Sequence, residues 1–341
     1  TDLGDGLVQC DLCPRGCLLD DGEQGVCRAR VNIGGKLRSI VYERPVALHI
    51  DPVEKKPLFH VLPGSRALSF ATAGCNLGCV FCQNFEISQA APEEIRSRRV
   101  SCRRMVDLAV EHECDGIAYT YTEPTIFYEY MLDTATLARE KGLRNYWITC
   151  GWIQPEPLRR LAKVLDAANV DLKGFSDEFY VRYSNAHLYP VLRTLKILHE
   201  ENVHVEITNL IIPGANDDDT MIRRMCRWIV RELGPDTPLH FSRFHPAYKL
   251  TKTPPTPVEA LKRARRIARG EGLRYVYIGN VRTPGMEDTR CPECGRVVLR
   301  RRGYTILDNA LEKGACRFCG TPLPGLWKNA TEKAAAPLPE P

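Results

Sequence analysis

Apolar and polar residues alternate along residues 68–280 in a pattern that predicts strands separated by helices. Short apolar runs, such as 68–72 and 116–121, have the length of buried strands. The segments between them carry apolar residues at three- and four-residue steps, as at 157–166, which is typical of amphipathic helices. Six or seven such units predict an α/β fold, a partial (β/α)6-type barrel with parallel strands and right-handed crossovers.

Turn residues and apolar periodicity set the predicted bounds. The predicted strands are 68–72, 116–121, 146–149, 170–172, 203–212, 239–244 and 275–278. The predicted helices are 101–113, 124–141, 157–166, 190–201, 219–233 and 257–269. Ser101 is the expected N-cap of the first helix. Functional groups in such barrels gather at the carboxyl ends of the strands.

The flanking residues do not follow this alternation and predict three further segments. Residues 1–67 form a cysteine-rich N-terminal segment with a possible metal site. Residues 281–329 form a zinc-ribbon or rubredoxin-like module, and the Ala- and Pro-rich tail 330–341 is expected to be disordered.

Fifteen cysteines are a high count, and eleven of them lie in or beside Cys-x2/x3-Cys clusters. The chain has no apolar run of membrane-spanning length, and its polar, acidic start predicts no signal peptide. We therefore expect a cytoplasmic, reducing location with no membrane partner, and metal binding rather than disulfides. The scattered Cys102, Cys114, Cys150 and Cys226 are interpreted as small core hydrophobes.

Three cysteines at one spacing, Cys75-x3-Cys79-x2-Cys82, follow the first predicted strand in a loop-like setting. A [4Fe–4S] cluster is usually held by four thiolates, so three on one loop leave one iron open. That iron suits the amino and carboxylate groups of S-adenosylmethionine, whose cleavage by one electron gives an adenosyl radical. Part of a zinc site, or core thiols, are the alternatives.

Polar groups at later strand ends are candidates for holding the nucleotide. Glu123 ends the second strand and is either an ammonium acceptor or a carboxylate at a helix start. Asp171 and Lys173 share one strand face, where they serve ribose and carboxylate groups or form a surface ion pair. The backbone at 211–214 could approach an adenine, and His245 ends the sixth strand, where a structural role is the alternative.

Together these motifs resemble the radical SAM superfamily, within it the pyruvate formate-lyase activating enzyme branch, and closer still the set termed AmmeMemoRadiSam radical SAM proteins. The resemblance rests on the three-cysteine loop with Phe81, the segment Thr122-Glu123-Pro124, Asp171-Leu172-Lys173, Pro213-Gly214 with Asn216-Asp217, and Phe244-His245. It also includes Asp51-Pro52-Val53-Glu54-Lys55-Lys56-Pro57-Leu58, Cys82-Gln83-Asn84 and both terminal cysteine sets.

The resemblance implies roles for individual residues. Cys75, Cys79 and Cys82 would ligate the cluster. The residues implied in cofactor binding are Phe81 beside adenine, Asn84, Thr122 and Glu123 at the methionyl amine, Asp171, Lys173, and His245 at the nucleoside. Tyr121-Thr122 stands where Gly-Gly is usual, which puts the close backbone approach there in doubt. Gln83 replaces a histidine seen in many activating enzymes, which puts a glycyl-radical partner in doubt.

Two further cysteine sets predict metal sites. Cys291, Cys294, Cys316 and Cys319 form C-x2-C-x21-C-x2-C with Gly after each second cysteine, a strong zinc-ribbon or rubredoxin-like signal. Zinc is the default metal, and iron is the alternative. The less regular N-terminal set leaves zinc and a second iron–sulfur cluster both open. It consists of Cys10, Cys13, Cys17 and Cys27.

These features predict a radical SAM enzyme that abstracts hydrogen from a protein, a peptide or a small molecule. A glycyl-radical-enzyme activase and an RNA-modifying or nucleic-acid-binding metalloprotein are the alternatives. The expected partners are a one-electron donor such as flavodoxin or ferredoxin and an unidentified substrate. A nucleic-acid partner is not expected, because the net charge is only +5 and the runs 96–99 and 300–302 fit a solvated face better.

Overall fold

The computed structural model describes residues 1–327 of the chain. Its first 39 residues form short antiparallel strands. This segment is rich in glycine and aspartate, which favour turns, and it has few apolar side chains to extend the strands. The strands are β1 (Asp2–Gly4), β2 (Leu7–Gln9), β3 (Leu18–Leu19), β4 (Arg30–Ile33) and β5 (Lys36–Ser39). Gly34 and Gly35 join β4 to β5 with φ of 58° and 71°, as a two-residue hairpin of type I′ requires.

A central eight-stranded sheet follows, and it confirms the predicted α/β fold. Its strands are β6 (Ala47–Pro52), β7 (Arg66–Ala71), β8 (Gly116–Tyr119), β9 (Arg144–Thr149), β10 (Ala167–Asp171), β11 (His204–Ile211), β12 (Leu239–Arg243) and β13 (Val276–Gly279). They lie in chain order across the sheet. Strands β7 to β13 are parallel, so their carboxyl ends meet at one edge of the sheet, as the sequence predicts.

Strand β6 is the element that the alternating pattern does not reveal. It pairs antiparallel with β7 over six residues, with Ala47 opposite Ala71 and Pro52 opposite Arg66. Only Asp51 of β6 is buried, so the strand lacks the apolar run of a central strand. The sheet therefore includes residues that the sequence analysis placed in the N-terminal segment.

Within residues 1–327, eight α-helices accompany the sheet. They are α1 (Phe85–Ser88), α2 (Cys102–Glu111), α3 (Tyr128–Glu140), α4 (Pro155–Ala162), α5 (Asp177–Ser184), α6 (Leu188–Glu200), α7 (Asp219–Leu233) and α8 (Val258–Gly270). The hydroxyl of Ser101 accepts a hydrogen bond from the Arg104 N–H, which confirms the predicted N-cap. The predicted helix at 124–141 begins instead as a 3-10 turn, Pro124–Phe127, before α3. Helices α1 and α5 were not predicted, because each is too short to show helical periodicity clearly.

The C-terminal module consists of short antiparallel strands. These are β14 (Thr289–Arg290), β15 (Val297–Arg302), β16 (Thr305–Asn309), β17 (Leu311–Glu312) and β18 (Ala315–Cys316). A small apolar cluster joins the module to the barrel strand β13 and contains Phe59, Tyr275, Tyr277, Cys291, Val298, Cys316 and Leu323. The predicted disordered tail, 330–341, lies outside the described residues. No helix within residues 1–327 is both long enough and apolar enough to cross a membrane.

A buried polar network reinforces this junction. The Glu206 carboxylate accepts hydrogen bonds from the His60 N–H at 2.7 Å and from His240 Nε2 at 2.6 Å. Burial would raise the pKa of Glu206, but the hydrogen bonds from His204 and His240 outweigh it and hold this pKa well below its usual range. The fully buried His60 ring contacts the Pro324 carbonyl and the Tyr277 hydroxyl, each at 2.7 Å. The network thus links the barrel to the last described residues.

His60 should make stability depend on pH. Burial lowers the pKa of His60 to about 3, so the unfolded chain takes up this proton at higher pH than the native chain does. The stability from neutral His60 is complete above the unfolded pKa of about 6.5 and falls as the pH drops, by at most about 1.4 kcal/mol per pH unit.

We expect the free energy of unfolding of wild type to fall more steeply from about pH 7 to 5 than that of His60→Gln, as measured by urea titration. His199→Gln, at an exposed position on α6, is the control and should follow wild type. Equal slopes for wild type and His60→Gln would show that the pKa of His60 does not change on folding.

Candidate functional site

The three-cysteine loop leaves the carboxyl end of β7 and is anchored at several points. The Gly78 and Val80 N–H groups donate to the carbonyls of Ser184 and Tyr183, at the end of α5. The Gly74 N–H donates to the Ile87 carbonyl of α1. The two helices that the sequence analysis missed therefore position this loop.

A cavity of about 220 Å³ lies under the loop, at the carboxyl ends of the strands. The structure brings most of the predicted residues together in its wall, namely Cys75, Cys79, Cys82, Phe81, Asn84, Thr122, Asp171 and Lys173. Cys75 and Cys79 are deeply enclosed, and burial raises the pKa of both thiols. A metal that binds them must therefore displace their protons.

One ion pair supplies the charge beside these thiols. Lys173 Nζ lies 2.9 Å from Asp171 Oδ2, and 5.8 Å from the centre of the Phe81 ring. Burial opposes the charge on Lys173, but the negative charge of Asp171, together with that of Cys150 and Cys79 when these thiols are ionised, outweighs it and raises the pKa of Lys173 well above its usual range. Lys173 is therefore a permanent cation in the cavity wall, and the prediction that Asp171 and Lys173 share one side of the strand end is confirmed.

Glu123 and His245 do not line this cavity. Both oxygens of the fully buried Glu123 carboxylate accept hydrogen bonds from the protein. The donors are the Thr125 N–H at 3.0 Å, the hydroxyls of Thr125 and Thr149 at 2.7 Å each, and the Cys150 N–H at 2.6 Å. In this arrangement Glu123 ties the end of β8 to the end of β9, and its contact with a ligand stays a prediction.

Several cavity residues were not predicted as site residues. They are Leu77, Gln83, Ser88, Gln89, Tyr121, Cys150, Thr208, Leu210 and Ser242. Cys150 was interpreted as a core hydrophobe, and it is indeed buried, but its thiol belongs to the cavity wall. Thr208 and Ser242 lie near the carboxyl ends of β11 and β12, so the strand-end rule could have found them.

Tyr121 stands where the family usually has glycine, and its backbone adopts a glycine-like conformation with φ of +64°. Its carbonyl accepts a hydrogen bond from Asn84 Nδ2 at 2.7 Å, which fixes the loop beyond Cys82. Its hydroxyl donates to Asp51, and Lys56 Nζ lies 4.3 Å from the centre of its ring. These side-chain contacts hold a conformation that is uncommon for a bulky residue.

Asp51 neutralises a buried lysine behind this wall. Its carboxylate lies 2.6 Å from Lys56 Nζ and 2.8 Å from Lys55 Nζ. The Lys56 side chain is 2% exposed, and burial lowers its pKa to about 8 despite the contact with Asp51.

Asp51→Asn should lower the free energy of unfolding by about 3 kcal/mol, because it leaves a buried lysine without its counter-charge. Adding Lys56→Met should restore more than half of that loss in a urea-denaturation double-mutant cycle. Lys55→Met is the matched control: Lys55 is 44% exposed, and its pair with Asp51 should contribute about 1 kcal/mol at most. Additive losses for Asp51→Asn and Lys56→Met would contradict the pairing.

The four C-terminal thiols converge on a single point. Their sulfur atoms all lie within 4.8 Å of one another, with Cys291 Sγ 3.5 Å from Cys319 Sγ and Cys294 Sγ 3.8 Å from Cys316 Sγ. Four sulfurs tetrahedrally placed 2.3 Å from one zinc ion are about 3.8 Å apart. The set therefore fits one tetrahedral metal ion, which zinc and iron both satisfy.

The four N-terminal cysteines share a different environment. All four line one small enclosed cavity, together with Arg30 and Asn76. Burial raises the pKa of the Cys13 thiol to about 11 and also raises the pKa of Cys10 and Cys27. Within residues 1–327, neither this set nor the loop set reaches the close sulfur spacing of the C-terminal four.

Comparisons with known proteins agree with this geometry. The pattern of the Radical SAM superfamily matches residues 70–226. The uncharacterized protein MJ0808 of Methanocaldococcus jannaschii is 47% identical over 320 residues, which cover 93% of this chain and 95% of that protein. Pyruvate formate-lyase 1-activating enzyme of Escherichia coli strain K12 is 22% identical over 234 residues, covering 63% of this chain and 93% of that enzyme.

Among solved structures, a radical SAM methyltransferase from Sphaerobacter thermophilus has a TM-score of 0.50 and 18% identity, covering 64% of this chain and 67% of that chain. This similarity supports the fold alone. The superfamily match, by contrast, includes the three-cysteine loop and the ends of β8 to β11 that surround the cavity. The family implies a [4Fe–4S] cluster and S-adenosylmethionine as cofactors. This chain therefore belongs to the radical SAM superfamily, is an enzyme, and is similar to the pyruvate formate-lyase activating enzymes within it.

Proposed function

We propose that the enzyme reductively cleaves S-adenosylmethionine in the cavity under the three-cysteine loop and uses the product to abstract hydrogen from an organic substrate. The observation that carries this proposal is the meeting of three thiols and a Lys173–Asp171 ion pair in one cavity. Three thiolate donors fit a [4Fe–4S] cluster with one open iron, and Asp171 and Lys173 offer charged partners for an amino acid and a nucleoside.

Cys75, Cys79 and Cys82 would hold the cluster. Bound there, it would supply the electron that converts S-adenosylmethionine to methionine and a 5′-deoxyadenosyl radical. The Lys173 cation is suited to pair with the methionyl carboxylate, and Asp171 can accept from ribose hydroxyls. Phe81 would border the adenine, and Asn84 would keep Tyr121 and the loop in register through its 2.7 Å hydrogen bond.

The test is S-adenosylmethionine cleavage by the full chain. The protein is reconstituted anaerobically with iron and sulfide, reduced with dithionite and given S-adenosylmethionine, and 5′-deoxyadenosine is measured by liquid chromatography with mass spectrometry. Release that requires both the reductant and the iron supports the proposal. A fully reconstituted sample that reduces normally but releases no 5′-deoxyadenosine would reject it.

A glycyl-radical-enzyme activase is the second candidate, because the chain resembles several proteins named as activating enzymes. Besides the E. coli protein, these include the trans-4-hydroxy-L-proline dehydratase activating enzyme of Clostridioides difficile, 25% identical over 91 residues. The test adds pyruvate formate-lyase to the reaction above and records electron paramagnetic resonance spectra. A glycyl-radical doublet supports this function. If 5′-deoxyadenosine forms without it, another substrate class is favoured.

We also propose that the C-terminal cysteines bind a structural zinc ion or iron ion. Their convergence within 4.8 Å supports this, and all four positions are taken by protein sulfur, as in structural sites. Metal analysis by mass spectrometry distinguishes the two ions. An external one-electron donor such as flavodoxin or ferredoxin would reduce the loop cluster.

A further inference from the structure

The four N-terminal cysteines come together although they lie on separate turns. The Cys10 N–H donates to the Cys17 carbonyl at 2.9 Å, and the Gly16 N–H donates to the Cys13 carbonyl at 3.2 Å. The resulting cavity has three apolar side chains in its wall, Leu12, Leu19 and Ile126. Four buried thiols that line one cavity form a candidate ligand set for a metal centre, because free thiols have no need to lie together.

The spacing of these sulfurs separates a single ion from a cluster. One tetrahedral ion needs sulfur atoms about 3.8 Å apart, as the C-terminal set nearly provides. Within the described residues, no three of the four N-terminal sulfurs all lie within 4.8 Å of one another, as the C-terminal sulfurs do. The N-terminal sulfurs therefore do not converge on one point as the C-terminal four do, and this wider spacing favours a polynuclear iron–sulfur centre over a single zinc ion.

A buried arginine gives a second, independent indication of a ligand. Arg30 lines the same cavity and is 5% exposed. Its two terminal nitrogens lie 2.9 and 2.5 Å from the Glu129 carboxylate, but its Nε has no hydrogen-bond partner among the described residues. An unsatisfied buried donor is costly, and the sulfide or thiolate of an iron–sulfur cluster would accept from it.

We propose that Cys10, Cys13, Cys17 and Cys27 bind a second [4Fe–4S] cluster, with all four irons ligated by protein, that passes electrons to the cluster on the three-cysteine loop. The electron-transfer role rests on the function proposed above for the loop cluster. The N-terminal segment thereby has a redox role rather than a purely structural one.

The two sites are adjacent along the chain, although no described residue lines both cavities. Asn76, the neighbour of Cys75, lines the N-terminal cavity, and a Cβ atom on Gly74 would lie 2.3 Å from the Cys27 carbonyl. Arg15, two residues after Cys13, donates from Nε to the Asn76 carbonyl at 3.4 Å. The backbone on either side of Cys75 therefore packs directly against the segment that carries the N-terminal cysteines.

The N-terminal cavity also approaches the surface. An open depression borders it and shares Arg15, Cys17, Leu19 and Gly25 with it. Leu18 and Val26 of this depression are 58% and 56% exposed. In the proposed transfer, one electron enters here from a one-electron donor of the flavodoxin or ferredoxin type, reduces the N-terminal cluster, and moves on to the loop cluster without bond making or proton transfer.

The first test counts metals in separate cysteine variants of the full chain. After anaerobic reconstitution, wild type should contain about eight irons and eight sulfides, and the Cys10→Ala/Cys13→Ala and Cys75→Ala/Cys79→Ala variants about four of each, apart from any single iron ion at the C-terminal cysteines. Cys226→Ala, which changes a buried thiol of α7, is the control and should keep the wild-type content. Wild type with only about four irons, or with zinc at the N-terminal set, would overturn the proposal.

The Cys75→Ala/Cys79→Ala variant tests for the N-terminal cluster by itself, and its result depends neither on catalysis nor on correct folding of the Cys10→Ala/Cys13→Ala variant. It should give a reduced-cluster electron paramagnetic resonance signal that S-adenosylmethionine does not change. In wild type, two neighbouring reduced clusters should broaden each other's signals. A wild-type spectrum equal to the sum of the two variant spectra would overturn the electron-transfer role. Failure of S-adenosylmethionine cleavage alone would leave these iron counts and signals unaffected.

Discussion

Replacing Cys79 with alanine is expected to reduce 5′-deoxyadenosine formation to the level of a sample without enzyme. Cys79 lies in the middle of the three-cysteine loop, is 7% exposed, and lines the cavity with Cys75 and Cys82. A cluster with two protein thiolates instead of three binds more weakly, and the iron left open for S-adenosylmethionine is no longer fixed in one position. Product formation and iron content are measured on the same reconstituted sample.

Cys150→Ala is the matched control, because Cys150 is a buried thiol in the same cavity wall. If the loop alone supplies the ligands, this variant keeps its loop iron and its cleavage activity. Loss of the loop cluster in Cys150→Ala would mean that a fourth thiolate occupies the corner reserved for S-adenosylmethionine, and the proposed function would then be wrong. Retention of activity by Cys79→Ala would contradict the ligand assignment itself.

The second large effect is expected at the proposed C-terminal metal site. Cys316 is 1% exposed and belongs both to the four converging sulfurs and to the apolar cluster with Tyr275 and Tyr277. Structural zinc contributes about 10–16 kcal/mol of apparent binding free energy in small zinc domains, so Cys316→Ala should unfold the module. Limited proteolysis should then cut between residues 289 and 323, and the thermal midpoint should fall.

The iron of the three-cysteine loop should survive this change, because its ligands are on another part of the chain. Cys294→Ala offers a milder version, since Cys294 is exposed and lies outside the apolar cluster. Cys114→Ala, a change at a buried thiol outside every cysteine set, should keep the metal content of wild type. If Cys294→Ala also stripped the loop iron, the idea of separate sites would fail.

Much of the barrel could be predicted because buried parallel strands and their helices carry strong apolar patterns. The helix 219–233 was predicted with its observed bounds, and Ser101 caps its helix as expected. The spacing of Cys75, Cys79 and Cys82 was sufficient to locate the cavity, because a short loop after a strand keeps its members together.

The features that could not be predicted from the sequence depend on contacts between residues that are far apart along the chain. The burial of Glu123 among Thr125, Thr149 and Cys150 arises from the meeting of two strand ends. The tether from Tyr121 to Asp51 spans 70 residues, so no local pattern reveals it. Helix α5 has only eight residues, and its importance comes from its Tyr183 and Ser184 carbonyls, which accept hydrogen bonds from amide groups of the three-cysteine loop.

Strand β6 has a practical consequence for anyone who wishes to isolate the catalytic barrel. A fragment beginning at residue 68 would lose all of β6 and the first two residues of β7. The amide and carbonyl groups of β7 that now pair with 47–52 would face water, in a strand whose side chains are almost entirely buried. An exposed, apolar edge strand of this kind pairs with strands of other molecules, so such a fragment should aggregate unless residues 47–67 are retained.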